Sequence, residues 1–197
     1  MMEAQEVRLM VRGIAIIGPN GSGKSTLNHL LCKALGYYEM DSEDYYFPGQ
    51  KAGRLWLQEH GGAQPGEELP APYAVSCTGA DAAMLRDMEI HPRFVLSCVH
   101  LHGNEQMIRR IEVAFCLDAP LETRLARIRH REEKRFGVRA LPGGDLYPQQ
   151  EAFRDKVKRS ALKPADTSCL RCPVIRLDGT QSPEDNLRLM LLELQQR

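Results

Sequence analysis

A three-layer α/β domain, with a parallel sheet covered by helices on both faces, is predicted by two features of this sequence. Short β-type apolar runs alternate with stretches of helical periodicity, and the first run stops at a glycine-rich turn that opens a helix. Strands buried on both faces read as continuous apolar runs rather than alternations. VRGIAII (11–17), FVLSCV (94–99) and VAFCL (113–117) have that character. A composition of 43% hydrophobic and 26% charged residues over 197 positions suits one core, so a single domain over 1–197 is expected.

After the strand at 11–17, residues 24–35 read as a helix with Leu27, Leu30, Leu31 and Leu35 on one face and Gly36 as its stop signal. A short strand near 37–40 follows. Helical periodicity then marks roughly 80–90, 120–135 and 148–160, with the strands at 94–99 and 113–117 between the first two. VIRL at 174–177 gives the last strand. The helix at 183–196 opens with Ser182 as cap, Pro183 in the first turn, and Glu184 and Asp185 at the positive end of the dipole. Two Gly/Pro-bearing stretches, 47–73 and 134–148, hold no clear element. Long loops in a compact domain tend to be functional.

Lysine plus arginine (26) balances aspartate plus glutamate (26), which removes any global electrostatic case for nucleic acid or an anionic membrane as partner. No apolar run approaches the ~20 residues that span a bilayer. The N-terminus MMEAQEVRLM carries acids and lacks a signal peptide's basic end, so a cytoplasmic location is expected. Six cysteines (Cys32, Cys77, Cys98, Cys116, Cys169 and Cys172) sit among apolar positions. Cys169 and Cys172 form a CxxC with no second pair at zinc-site spacing, and inert buried thiols are the expectation.

GPNGSGKS at 18–25 satisfies G-x-x-x-x-G-K-[ST], directly after a strand and opening a helix. The candidate phosphate-binding set is Gly18, Pro19, Asn20, Gly21, Ser22, Gly23, Lys24, Ser25 and Thr26. Gly18, Gly21 and Gly23 let backbone N–H groups approach phosphate oxygens with no side chain in the way. The helix adds its positive dipole end. Lys24 puts a charge on the β- and γ-phosphates, and Ser25 offers a hydroxyl to Mg²⁺. This pattern specifies a triphosphate, not a reaction. A transporter-type ATPase would need LSGGQ, and a GTPase would need N/TKxD with DxxG; the chain has none of these. A small kinase is what remains.

Three further features agree. Acids Asp41, Glu43 and Asp44 follow the second strand, at the carboxyl edge where doubly wound sheets bind ligands. Carboxylates there can support Mg²⁺ or take a proton from an attacking hydroxyl. Arg124, Arg127, Arg131 and Arg135 recur every three or four residues on the 120–135 helix and so share a side, with Leu121, Leu125 and Ile128 as a separate core stripe. Arginines stabilise the charge spread over a transferred phosphoryl group. Lastly, Asp178, Gly179 and Thr180 form a turn at the end of the last strand.

In this order the motifs resemble the nucleoside/nucleotide kinase and shikimate kinase-like group of P-loop proteins, the P-loop (Walker A) being the specific element. The resemblance implies a five-stranded parallel sheet flanked by helices, an acceptor-binding insert at about 48–92 and an Arg-bearing lid at about 131–148. Asp41-Ser42-Glu43 is similar to the D-x-D pair of shikimate kinases, which serves Mg²⁺ and the acceptor. Glu43-Asp44-Tyr45-Tyr46 resembles the Q-D-x-F/Y segment of uridine-type kinases, whose Asp faces the acceptor hydroxyl. The two alignments nominate different acids; Asp44 is taken as base and Asp41, with Ser25, as metal support. Arg127 and Arg131 match two arginines of adenylate-type kinases, one on the base and one on phosphates. Gly179 and Thr180 occupy the place of the adenine-edge loop.

Two departures stand out. The strand FVLSCVH carries Ser97, Cys98 and His100 where the group often has an acid, and Asp118 reads as a start signal for the arginine helix. In the insert, Arg54, Trp56, Tyr73 and Arg86 are candidates to line an acceptor site. The expected activity is therefore ATP- and Mg²⁺-dependent phosphoryl transfer to a small hydroxyl- or phosphate-bearing acceptor, with Lys24, Asp44, Arg127 and Arg131 catalytic. The alternative is a nucleotide-binding regulatory or assembly ATPase with no acceptor.

Overall fold

A computed structural model of the chain describes residues 11–64, 66, 78–101, 104–160 and 165–197. Five strands, β1 (Gly13–Ile17), β2 (Tyr38–Asp41), β3 (Phe94–Cys98), β4 (Val113–Asp118) and β5 (Val174–Asp178), pair in parallel in the order β2-β3-β1-β4-β5. The register sets Ile17 beside Cys98 and Asp41 beside Ser97, so the strand ends that carry the site lie level along one edge.

Alternate residues of β1 feed opposite faces of this sheet, as the pleat requires. Ile14 and Ile16 pack with Leu27, Leu31, Phe115 and Met190, under α1 (Lys24–Leu35) and α8 (Pro183–Gln195). Ala15 and Ile17 pack with Met40, Met84, Met88 and Leu96, toward α4 (Ala80–Ile90). Gly36 closes α1 in the left-handed conformation at φ 68, and Ser182 caps α8 by accepting from the Asp185 N–H at 3.1 Å.

Among the described residues the two stretches without expected structure carry regular elements, 65 and 67–73 lying outside them. Residues 42–59 form α2 (Ser42–Tyr46) and α3 (Pro48–Glu59), where Pro48 at the first turn pre-sets the helical φ. α5 (Glu105–Ile108) is a further short helix. α6 (Leu121–Phe136) runs into a 3₁₀ turn, Gly137–Ala140, and α7 (Tyr147–Ser160) starts seven residues later. Periodicity missed α3 because its apolar residues, Trp56 and Leu57 among them, face a small third cluster rather than the sheet. That cluster joins Leu57, Ala63, Phe136 and Ala140, with Trp56 and Leu146 against it. The Ala63 N–H donating to the Arg135 carbonyl at 2.9 Å ties α3's end to α6 as well.

Asp118 does not start α6. Its Oδ1 accepts from the Ala119 N–H at 2.9 Å, its carbonyl accepts from the Gly179 N–H at 2.6 Å, and Pro120 stands at the N-cap. The stripes on α6 also differ from expectation. The buried face is Arg124, Ile128, Glu132 and Phe136, spaced by four, so Arg124 leaves the exposed arginine side. Its Nε donates to the Ala119 carbonyl at 3.0 Å. Glu132 is one half of a buried ion pair with Arg154 of α7.

Candidate active site

The turn after β1 is folded by its glycines. Gly21 sits at φ +81, where an added Cβ would stand 2.6 Å from the Arg124 carbonyl oxygen. Only glycine meets both conditions, so the loop presses against the first turn of α6. Gly179 clamps it from the other side, since a Cβ there would approach the Asp118 carbonyl to 2.6 Å and that of Ser22 to 3.0 Å. Residues far apart in sequence thereby pin one loop.

Lys24 is 8% exposed, and its Nζ donates to the Pro19 carbonyl at 3.1 Å. Burial pushes its ammonium below the usual lysine range; Glu43, Cys98 and Asp41 counter the shift, and Arg131 adds to it. These groups therefore surround one ammonium. The Ser25 hydroxyl donates to Asp41 Oδ2 at 2.9 Å, while Asp41 Oδ1 caps α2 through the Glu43 N–H at 3.0 Å. Ser25 and Asp41, 16 residues apart, are thus brought together as the metal-support reading requires.

Mg²⁺ at nucleotide sites keeps several waters and takes few protein ligands besides phosphates. A serine hydroxyl with one carboxylate fits that demand. Among the described residues, no group of three or more His, Cys, Asp or Glu side chains is placed to hold a metal by itself.

One cleft of about 1140 Å³ contains this constellation. Its walls include P-loop residues Asn20–Thr26, the acids Asp41, Glu43 and Asp44, and Arg127, Arg131 and Arg135 of α6. Asp44 is ion-paired with Arg54 of α3, which also lines the cleft. The Arg127 guanidinium donates to the Ser22 carbonyl at 3.1 Å, which holds it at the P-loop. Gly179 borders the cleft, whereas Thr180 turns away and gives both its N–H and hydroxyl to Asp178 at 2.8 and 2.7 Å. Those bonds hold the Asp178 carboxyl below its ordinary range.

The other candidates separate. Trp56 stacks on His60 at 4.2 Å between centroids, Arg86 is exposed on α4, and Tyr73 lies outside the described residues. Cys98, at the end of β3, borders the cleft, and burial pushes its thiol up to about 12. Cys169 is half-buried, its Sγ donating to the Leu101 carbonyl at 3.0 Å.

Several cleft residues were not singled out from sequence. α7 contributes Gln149, Gln150, Phe153 and Lys156, whose spacing of one, four and seven from Gln149 is the signal that marks one helix face. α8 contributes Asn186. Two tyrosines of α2 also act. Tyr45 donates to Asp87 and Tyr46 to Asp81 of α4, each at 2.6 Å. A five-residue helix has little stability of its own, so these bonds fix where Glu43 and Asp44 sit.

The loop, its helix and the parallel sheet define a P-loop nucleotide-binding protein with the fold of small-molecule kinases. Residues 14–140 match the AAA domain family, and the chain belongs to it. It is similar to an uncharacterized protein, YqaC, of Bacillus subtilis (strain 168), with 26% identity over 192 residues covering 92% of this chain and 97% of that protein. It is also similar to a shikimate kinase of Gloeobacter violaceus, 27% identical over 200 residues, covering 88% of this chain and the whole relative. Among solved structures, a gluconokinase from Sinorhizobium meliloti 1021 superposes with a TM-score of 0.56 at 16% identity, covering 95% of this chain and 93% of that one. Among the described residues no helix is long and apolar enough to cross a membrane.

Proposed function

We propose that the chain is a small-molecule kinase, transferring the γ-phosphoryl group of ATP, with Mg²⁺, to a hydroxyl of a small acceptor. The observation that carries this reading is the sharing of one cleft by the P-loop ammonium of Lys24 and the Asp44–Arg54 ion pair opposite. A protein that only hydrolyses nucleotide needs no oriented carboxylate on an acceptor-side helix.

In the proposed step the acceptor oxygen attacks the γ-phosphorus, the bond to the β,γ-bridging oxygen breaks, and the hydroxyl proton passes to Asp44. Arg54 aims that carboxylate. Lys24, Arg127 and Arg131 bear on the charge that spreads over the phosphoryl oxygens. Bound Mg²⁺ would draw charge from the phosphate oxygens, and Ser25 with Asp41 are the residues to hold it. The insert at about 48–92, which opens with α3, would take the acceptor, and residues about 131–148 would act as the lid. The names of the Gloeobacter and Sinorhizobium proteins direct the acceptor search to hydroxylated carboxylic acids. Arg54, Arg131 and Lys156 offer cationic partners for such a carboxylate.

Screening the protein with ATP and Mg²⁺ against pooled sugar acids, shikimate-type acids, nucleosides and nucleotides tests the proposal. ADP release rising above the acceptor-free rate is expected for one pool. If none raises it, the regulatory ATPase reading replaces this one. With the acceptor in hand, Asp44→Asn should lower kcat by about 10²- to 10⁴-fold and leave the KM for ATP unchanged.

A further inference from the structure

Two segments expected as separate flaps, the insert at about 48–92 and the lid at about 131–148, meet at one buried guanidinium. Arg139 follows α6 in the 3₁₀ turn and is 8% exposed. Its Nε donates to Asp145 Oδ1 at 3.0 Å and its Nη2 to Oδ2 at 2.7 Å, a bidentate grip that fixes the guanidinium plane. The Leu146 N–H donates to the Arg139 carbonyl at 3.1 Å, and a Cβ at Gly144 would stand 2.3 Å from that same oxygen. Residues 139–146 therefore form a closed clasp. The remaining nitrogen, Nη1, donates to the Gln64 carbonyl beyond α3 at 3.3 Å. Beside that bond the Ala63 N–H donates to the Arg135 carbonyl at 2.9 Å, and Leu57 and Ala63 cluster with Phe136 and Ala140.

We propose that Arg139 is a positioning residue that fastens the lid to the insert, so that the two close over the cleft as one body. Arg131 and Arg135 of α6 and Arg54 of α3 all line that cleft. A movement that carries the α6 arginines onto the phosphates then also carries Arg54, and the Asp44 paired with it, into place. This coupling presupposes triphosphate binding at the P-loop, as the proposed function does, and deepens that reading.

Hydrogen–deuterium exchange of the full chain, with and without Mg²⁺ and a non-hydrolysable ATP analogue, tests the coupling. Residues 57–64 lie off the cleft wall, so nucleotide reaches their amides only through the joint. Exchange is expected to slow by roughly threefold or more at 57–64 and 137–147 alike, as opening of the two segments becomes rarer together. Slowing at the P-loop (18–26) without slowing at 57–64 overturns the coupling and leaves nucleotide binding standing. No slowing at the P-loop overturns both. Arg139→Lys keeps the charge but loses the planar fork that holds Asp145 and Gln64 at once. Nucleotide should still slow exchange at 18–26 and 137–147 in this variant, while the effect at 57–64 is lost. An unchanged effect at 57–64 removes Arg139 from the role. If Arg139→Lys folds poorly, Asp145→Asn, at a side chain 60% exposed, loosens the same grip and is read in the same way.

Discussion

At the P-loop end of the cleft the chain presents mostly its own backbone, whereas at the α6–α7 end it presents side chains gathered from three distant segments. The first end is one contiguous turn on β1, a fully buried strand, clamped by α6 and by Gly179. The second depends on a small satellite core and a buried ion pair. Glu132 and Arg154 are both nearly closed to solvent, with side chains 5% and 9% exposed. Burial raises the Glu132 carboxyl, Arg154 pulls it back, and one of its oxygens has no partner among the described residues. A phosphate cradle tolerates little variation, because a triphosphate is the same in every kinase. The side chains of α6 and α7 have no such fixed partner, and their placement rests on contacts between distant segments.

Four perturbations probe that contrast, in falling order of expected effect. Arg154→Ala should strike the α6–α7 end hardest, since it strands a buried carboxylate, at about 3–5 kcal/mol of stability. Chemical denaturation measures it, and a loss below ~1 kcal/mol would mean that water reaches Glu132 freely. Lys24→Ala should do the opposite. ATP affinity should fall by about 10- to 100-fold, the weight of charged hydrogen bonds, while stability holds, because Lys24 is a desolvated charge whose Nζ donates to the Pro19 carbonyl. A matching fall in stability would erase the distinction between the two ends.

Tyr45→Phe removes the bond to Asp87 and should cost about 0.5–1.5 kcal/mol, read as a lower kcat at constant ATP affinity. A change in ATP affinity instead would show that α2 belongs to the donor end. The smallest effect is protonic. Because burial depresses the Lys24 ammonium in the nucleotide-free protein, phosphates arriving beside it should raise it again. ATP binding at alkaline pH should therefore take up a fraction of a proton. Calorimetry in buffers of differing ionisation enthalpy detects the uptake, and Lys24→Arg should abolish it. No uptake in the unaltered protein would show that Lys24 stays fully charged without nucleotide.

Legibility follows the same division. The five strands, α1, α4 and α8 were readable because each buries residues in the two clusters that flank the sheet, and α6 and α7 because helical periodicity is local whatever the helix packs on. Ser25 and Asp41, nominated together from chemistry, are hydrogen-bonded to each other, and the Arg127 guanidinium donates to the loop at Ser22. Arg124 was misassigned because sequence spacing alone does not reveal which side of a helix faces a neighbour; a guanidinium can be buried when a carbonyl such as that of Ala119 receives it. α3 was missed because its partners are the end of α6 and the 3₁₀ turn, a contact between segments about 80 residues apart. Thr180 was drawn from the loop's position, yet its hydroxyl satisfies Asp178 instead.

By itself the sequence determined the layered α/β class and the phosphate loop, because each is written in contiguous residues whose meaning is fixed by covalent spacing. Tertiary structure alone decided that Asp44 meets Arg54, that Glu132 and Arg154 are buried together, that α7 walls the cleft and that the Asn186 amide is anchored to the end of β5. Those pairings join elements that only the sheet order brings side by side, and burial is a property of such neighbours rather than of any residue's own type.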